Sequence, residues 1–180
     1  MPQVEIFTPT GVMSGSITGA TVESDPRGTP APVPLSDGRW YPLDGSTPER
    51  CGSVIVGSEE ILLAAVPPPE VPGPGQWYPL ELDLGPYHLE AGLPVQPGFD
   101  PARALARPGG AYVPLRDVSI SLTGRPEAGV AERPYALVNR YAVDRIASDL
   151  MLGFFFPGAV QDPLPEPGTP LVVARAVPVA

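Results

Sequence analysis

The chain has no lysine, and its 180 residues include a single cysteine, Cys51, and a single histidine, His88. One cysteine cannot form an intramolecular disulfide. The phosphate-binding loop that ends in Gly-Lys cannot occur without lysine. One histidine and one cysteine leave only carboxylates to hold a metal, which excludes zinc centres of the usual composition. The sequence therefore predicts no metal, no cofactor and no catalytic residue.

Cys51 and His88 are the only residues that could serve as a thiol nucleophile and its imidazole base. They lie in unlike contexts, and no serine occupies the Gly-x-Ser-x-Gly pattern of serine hydrolases. We expect a buried cysteine and a partly exposed histidine, because free cysteines are usually buried. Glu81 and Asp83 share one face at strand spacing, where a solvated edge is expected rather than a cation site. The chain is predicted not to be an enzyme.

Acidic residues outnumber basic ones, with 20 Asp and Glu against 11 Arg and a net charge of -9. Such a surface repels nucleic-acid phosphates and anionic lipid headgroups, which clustered basic residues bind. The longest uncharged apolar stretch, residues 150–160, is broken by glycine and proline, whereas a membrane span needs about 20 apolar residues. The N-terminus lacks the features of a signal peptide. We expect a cytoplasmic protein with no nucleic-acid partner and no membrane insertion.

The chain contains 28 prolines and 20 glycines, which interrupt regular structure, but 43% of its residues are apolar and they are spread along its length. A core can therefore form, and the predicted fold is all-β with short strands and many turns. One helix is indicated, from Asp100 as N-cap to Arg107. Among the strands indicated are residues 150–156 and 170–178, near the end of the chain.

Landmarks recur in the same order on either side of residues 67–76, a segment with five prolines. A strand around Glu5 matches one around Glu81. The run Trp40-Tyr41-Pro42-Leu43 is matched to Tyr112-Val113-Pro114-Leu115. Gly57 is matched to Asn139, and both are expected in tight turns because glycine and asparagine tolerate positive φ.

These landmarks predict two repeated small β-barrels joined by a proline-rich linker. The first barrel is residues 1–66, the linker 67–76 and the second barrel 77–156. Residues 157–180 form a proline-rich tail with a C-terminal strand. A single β-sandwich is the alternative.

Two stretches of the sequence carry a resemblance to a known family. Residues 4–9, and residues 112–120 followed by 135–140, resemble an uncharacterised bacterial family of small β-domains of unknown function. The layout of that family is similar to Sm-like and other SH3-like barrels. The resemblance implies a barrel in each half of the chain, and it implies no catalytic residues.

The end of the chain carries more apolar side chains than an 80-residue barrel needs for its own core. Exposed, they would form a patch that favours association, and buried aromatic residues dominate protein contacts. The sequence therefore predicts a structural or protein-binding component whose partner is another protein or a second copy of the chain. The predicted interface residues are Leu150, Leu152, Phe154, Phe155, Phe156, Leu171, Val173 and Val177. The alternative for residues 150–156 is a strand buried within the chain itself.

A small-ligand sensor is the second functional hypothesis. Asp117-Val118-Ser119 matches the first half of the Asp-x-Ser-x-x-Gly loop of PilZ barrels, which bind cyclic dinucleotides. Leu122 stands where that loop needs glycine. The arginines that would read phosphate, Arg103, Arg107 and Arg116, are separated rather than clustered.

Overall fold

The structure is a computed structural model that describes residues 1–18, 30–69, 76–95 and 110–164. In those ranges eleven strands form one hydrogen-bonded sheet. The strands are β1 (Gln3–Thr8), β2 (Gly11–Ser16), β3 (Val33–Pro42), β4 (Glu49–Val56), β5 (Leu63–Ala65), β6 (Gln76–Leu84), β7 (Tyr87–Val95), β8 (Tyr112–Leu122), β9 (Ala131–Asn139), β10 (Arg145–Ala147) and β11 (Val160–Asp162). Short 3₁₀ turns lie at Ser58–Glu60 and Pro126–Ala128. The predicted all-β class is confirmed.

Alternation of apolar and polar residues explains the longest strand, β8. Val118 and Ile120 are buried, whereas Ser119 and Ser121 between and beyond them are half-exposed. Successive side chains of a strand point to opposite faces, so one face of β8 contributes to the core. This half-buried strand is the one that the sequence pattern predicts most directly.

The strands follow the order β11-β10-β6-β7-β8-β9-β5-β1-β2-β3-β4 in the sheet. The first half of the chain contributes the block β5-β1-β2-β3-β4, and the second half contributes β10-β6-β7-β8-β9. Each block is an antiparallel meander of four strands whose fifth strand returns to pair with the first, β5 with β1 and β10 with β6. The order of pairing is therefore the same in the two halves.

The register between the first and second strands is the same in the two halves, and both halves interrupt the register between the second and third strands at the same place. Glu5 lies opposite Ser14, and 76 positions further along the chain Glu81 lies opposite Glu90. The pairing with the next strand is shifted within residues 14–16 of β2 and within 90–92 of β7. These are corresponding positions, and each faces an aspartate that bends the third strand.

Asp37 in β3 and Asp117 in β8 are those aspartates, with φ of 55° and 49°; no other non-glycine residue in the described ranges has positive φ. Asparagine and aspartate adopt this left-handed conformation more readily than other residues with a side chain. Both halves therefore place the same chemical group at the same bulge.

We expect Asp117→Val to lower the free energy of unfolding by about 1–2 kcal/mol, because a β-branched residue is strained at positive φ. Asp117→Gly is expected to leave it within about 0.5 kcal/mol or to raise it, because glycine adopts this conformation freely. Denaturant titration measures both changes, and the same pair of substitutions at Asp37 serves as an internal replicate. Equal effects of valine and glycine would contradict the strain argument.

The equivalent positions correct one of the predicted landmarks. Val33-Pro34-Leu35 precedes Asp37 with the same spacing as Val113-Pro114-Leu115 precedes Asp117. Val33 pairs with Val56, and Val113 pairs with Val138. The match of Trp40-Tyr41-Pro42-Leu43 to residues 112–115 is therefore wrong. The motif that the two halves share at this point is Val-Pro-Leu and not the aromatic run.

Gly57 and Asn139 do follow equivalent residues, but the prediction that both adopt positive φ in tight turns is wrong. Gly57 is extended, with φ of -64°, and Asn139 does not have positive φ. The Asn139 side chain instead donates a hydrogen bond to the buried carbonyl of Ile61 at 2.8 Å and accepts one from the amide of Tyr141. Its role is to join the second half of the chain to the first.

β5 connects the two halves into one sheet, because it pairs with β1 on one side and with β9 on the other. Each of the two core clusters also contains residues from both halves: Phe7 and Leu63 pack in the cluster of Leu82, and Tyr112 packs in the cluster of Ile6. Two separately closed barrels are therefore not confirmed. The boundaries at 1–66, 67–76, 77–156 and 157–180 stay predictions.

Residues 150–156 do not form the predicted strand. They form turns, in which the amides of Phe155 and Phe156 both donate to the carbonyl of Leu152. Gly153 and Pro157 on either side of the aromatic run favour such a turn. The predicted helix at 100–107 and the predicted strand at 170–178 lie outside the described residues.

Candidate protein-interaction site

The turn at residues 150–156 divides the predicted interface residues between the core and the surface. Leu152 and Phe156 are fully buried in the first core cluster, and Leu150 and Phe155 pack partly buried against it. Phe154 is 57% exposed. The remaining predicted residues, Leu171, Val173 and Val177, lie outside the described ranges. The turn therefore supplies core packing and one exposed aromatic side chain together.

Hydrogen bonds hold this turn to its neighbours on two sides. Gln161 in β11 accepts from the amide of Leu152 and donates to the carbonyl of Leu150. Arg140, which follows β9, donates to the carbonyl of Phe154. With the buried side chains of Leu152 and Phe156, these bonds fix the backbone of the turn. Phe154 is thus carried by a hydrogen-bonded backbone rather than by a loose loop.

Other exposed apolar side chains lie in the turn itself or next to the residues that hold it, Arg140 and Gln161. Met151 in the same turn is 75% exposed, and Val160 in β11 is 64% exposed. Tyr141 is 54% exposed, and the Arg140 guanidinium lies 5.6 Å from the centre of its ring. We call these residues, Tyr141, Met151, Phe154 and Val160, the Phe154 surface. Sequence alternation missed its composition because the segment is a turn and not a strand.

The second exposed apolar feature is the outer edge of β4. Ile55 is 69% exposed there, and Cys51 is exposed as well. The expectation of a buried cysteine is therefore wrong: Cys51 lies on the exposed strand at the end of the sheet order. No sequence signal marks β4 as an edge strand, because its end, Val54-Ile55-Val56, reads as a buried strand.

A groove of about 410 Å³ lies where corresponding turns of the two halves meet. The turn after β1 contributes Pro9 and Thr10, and the turn after β6 contributes Pro86. The Arg125 guanidinium donates to the carbonyl of Leu43 at 2.6 Å, which connects the two sides. Beside the groove the buried Tyr87 hydroxyl donates toward the carbonyls of Thr8, at 2.9 Å, and Gly11, at 3.1 Å.

Two of the polar side chains that the sequence singles out for chemistry form a hydrogen bond with each other. His88 and Asp83 are joined at 2.6 Å across adjacent strands. Cys51 lies in β4, whereas His88 lies in β7, with six strands between them in the sheet order. Arg145, opposite Asp83, has a raised pKa, chiefly because it donates a hydrogen bond to Asp162. The described residues contain no group of three or more potential metal ligands.

The residues of the PilZ-like pattern are engaged within the chain. The Arg116 guanidinium lies 4.5 Å from the centre of the Trp77 ring. Ser119 donates toward both carboxylate oxygens of Glu132, at 2.9 and 2.8 Å. Asp117 forms the bulge. A carboxylate beside Ser119 opposes the approach of a phosphate, while Arg103 and Arg107 lie outside the described ranges.

Comparison of the chain with protein-family models, with curated proteins and with solved structures finds no match. The resemblance to a family of small β-domains therefore stays a prediction. In the part of the chain that the structure describes, no helix has the length and apolar character that crossing a membrane requires. Neither finding assigns a function. The candidate binding sites considered below are therefore the Phe154 surface, the β4 edge and the groove.

Proposed function

We propose that the protein is a non-enzymatic structural or protein-binding component of a homo-oligomer or larger assembly in the cytoplasm. The observation that carries this proposal is the turn at residues 150–156, in which the exposed Phe154 lies two positions from the fully buried Leu152 on one side and from the fully buried Phe156 on the other. A pre-ordered aromatic side chain loses little conformational entropy on binding. The Phe154 surface is therefore the proposed contact with a protein partner.

The shared pairing order and register support a second part of the proposal. We take the chain to be an internal duplication of one five-stranded unit of SH3-like type, with β5 joining the two units. In such an arrangement each unit needs a neighbour at its sheet edge, and the first unit already serves the second in this way. A protein built from edge-joined units is suited to assembly rather than to catalysis.

The experiment compares the full chain with Phe154→Ala and with the matched control Val130→Ala, which removes an apolar side chain 60% exposed elsewhere. Light scattering measures the mass of each variant in solution, and co-purification from the native source compares the proteins each retains. We expect Phe154→Ala to weaken association by at least ~30-fold, as loss of about 2 kcal/mol at a central aromatic implies. If both variants behave like the parent chain, the proposed surface is wrong.

A small-ligand site is the second candidate, and the groove between the corresponding turns favours it. A volume of about 410 Å³ lies within the range of small-molecule pockets. A screen of nucleotides, cyclic dinucleotides and metabolites by thermal shift tests this candidate. A ligand at a hundred times its dissociation constant adds about 2.7 kcal/mol of stability. Arg125→Ala, at the wall of the groove, should remove a genuine shift and leave a nonspecific one.

A further inference from the structure

β4 and β9 hold corresponding positions in the two halves, and only β9 is covered. The outer edge of β9 pairs with β5 over residues 136–138. Val54, Ile55 and Val56 are the corresponding residues of β4, since they pair with β3 as 136–138 pair with β8. β4 is the last strand of the sheet order, and no described strand pairs with its outer edge. The second half of the chain therefore shows that this type of edge binds another strand, as β9 binds β5.

The contrast between Ile55 and its counterpart Leu137 shows what covering the edge changes. Leu137 packs partly buried against the second core cluster, whereas Ile55 is 69% exposed. Edge strands that must stay unpaired usually carry a charge or a proline. The segment from Ser53 to Val56 carries neither. The end of β4 thus has the chemistry of a paired strand, whereas its start carries Glu49, Arg50 and the irregular pairing at Gly52.

The backbone at Ile55 is also directed toward a partner. The amide of Asn139 donates to the carbonyl of Leu62 across the junction. Amides alternate in direction along an antiparallel strand, so the amide of Leu137 faces β5 as well. The shared register gives Ile55 the same direction, away from β3. Its amide and carbonyl can therefore form the reciprocal pair of hydrogen bonds of an antiparallel ladder.

The partner of this edge cannot be the strand that covers β9 in the other half. β10 corresponds to β5, but β11 pairs with the outer edge of β10 in parallel. Arg145 and Asp162 fasten β11 there by an ion pair of 2.6 Å. In a head-to-tail array, β4 of one copy would pair with β10 of the next, and β11 would first have to leave β10. Of the two end strands that the described part of a second copy offers, β11 is three residues long and ends in Asp162, whereas β4 is eight residues long and has an uncharged apolar end. We therefore take β4 of the second copy as the partner.

We propose that two copies of this chain form a dimer in which β4 pairs antiparallel with β4 of the second copy about a two-fold axis at Ile55. This proposal goes beyond the proposed function and uses a different surface. Val54 then lies opposite Val56 of the second copy, and the two Ile55 side chains cover each other. The dimer joins two eleven-stranded sheets into one. It is a closed assembly, because the two-fold contact occupies the β4 edge of both copies.

The same register predicts charge complementarity at the ends of the contact. The antiparallel arrangement brings Arg50 to the same end of the contact as Glu60 of the second copy, in the 3₁₀ turn that follows β4. In the described part of the chain neither Arg50 nor Glu60 forms an ion pair. Two such contacts form in the dimer, one on each side of the axis. They favour this register over one shifted along the strand.

The first experiment uses disulfide trapping of the full chain in a Cys51→Ser background. Facing residues in a hydrogen-bonded antiparallel pair have Cα atoms about 5.5 Å apart, within disulfide range. We expect Ile55→Cys to yield a covalent dimer under mild oxidation, and Val130→Cys, a comparably exposed apolar position outside both proposed surfaces, to yield little. Equal yields from the two variants would overturn the proposal.

The second experiment tests the register without any cysteine. Light scattering of the parent chain should show a mass that rises with concentration from 18.8 kDa toward twice that value. Arg50→Glu is expected to weaken association several-fold, and the double variant Arg50→Glu with Glu60→Arg to restore it. Circular dichroism confirms that each variant is folded. Failure of the double variant to restore association would refute the register.

Other occupants of the edge give distinct results, and each overturns the proposal. If the edge binds a different protein, the purified chain stays at 18.8 kDa at all concentrations. If the tail of a second copy fills it, deletion of residues 165–180 abolishes association. If the chains join head to tail, Ile55→Cys cross-links to an Ile146→Cys chain instead of to itself. Phe154→Ala leaves the trapped dimer unchanged, which separates this test from that of the proposed function.

Discussion

Tyr87→Ala is expected to lower the free energy of unfolding by about 3–5 kcal/mol, the range found when large buried aromatic side chains are truncated. Tyr87 is 2% exposed and belongs to the second half of the chain, yet its ring packs edge to face on Phe7 of the first half. Its hydroxyl donates to the carbonyls of Thr8 and Gly11. The substitution therefore removes core volume and a connection between the halves at once. Chemical denaturation measures the loss.

Tyr87→Phe and Tyr112→Phe separate the hydrogen bonds from the packing. Among the described residues the buried Tyr112 hydroxyl has no hydrogen-bond partner, whereas the Tyr87 hydroxyl has two acceptors. We expect Tyr87→Phe to destabilise by about 1–3 kcal/mol, because it removes the hydroxyl that donates to the Thr8 carbonyl, while the Gly11 carbonyl keeps the Thr8 hydroxyl as a donor. Tyr112→Phe should be neutral or stabilising, because it removes an unsatisfied polar group. Equal losses from the two variants would contradict this assignment.

The pH dependence gives an independent check on both tyrosines. Burial raises the pKa of Tyr87 and of Tyr112 above the ordinary value of about 10. Near pH 10 the unfolded chain therefore loses phenol protons that the folded chain keeps. The stabilisation is complete below about pH 10 and is lost as pH rises above it. Each Tyr→Phe variant should make this alkaline loss of stability shallower.

The strand order was within reach of the sequence, because the landmarks at Glu5 and Glu81 mark strands that begin corresponding meanders. The bulges could not be predicted, because an aspartate at positive φ is indistinguishable in sequence from any polar residue in a strand. Asp117 matched a ligand-loop pattern but carried no signal of a bulge. The pairing of β5 with β9 could not be predicted from the sequence either. Leu63-Ala64-Ala65 is a short apolar run, and nothing in it states that its two edges bind strands from different halves.

The candidate site was predictable in position but not in geometry. Composition alone pointed to the aromatic run at 154–156, since three consecutive phenylalanines in an acidic chain need either a core or a partner. Strand alternation could not give their faces, because it applies to an extended backbone and this segment is a turn. Arg140 and Gln161, which fix the turn, gave no signal, since single polar residues distant in sequence reveal no hydrogen-bond partner.

Phe156→Ala is expected to lower the free energy of unfolding by about 3–5 kcal/mol, whereas Phe154→Ala should change it by no more than about 0.5 kcal/mol. The two residues are separated by one position and carry the same side chain, but Phe156 is fully buried and Phe154 is 57% exposed. Phe156 fills space in the first core cluster, so its loss leaves a cavity. Thermal and chemical denaturation of the full chain measure both changes.

The opposite ranking applies to association, and this makes the pair diagnostic. Phe154→Ala should weaken protein binding without loss of stability, while Phe156→Ala should weaken binding only as far as it unfolds the turn. Leu152→Ala, also fully buried, is the control that shows what loss of core packing alone does, with an expected loss of about 2–5 kcal/mol. If Phe154→Ala destabilises the isolated chain as much as Phe156→Ala, the exposed aromatic is a core residue. The turn would then have no side chain left to present to a partner except Met151.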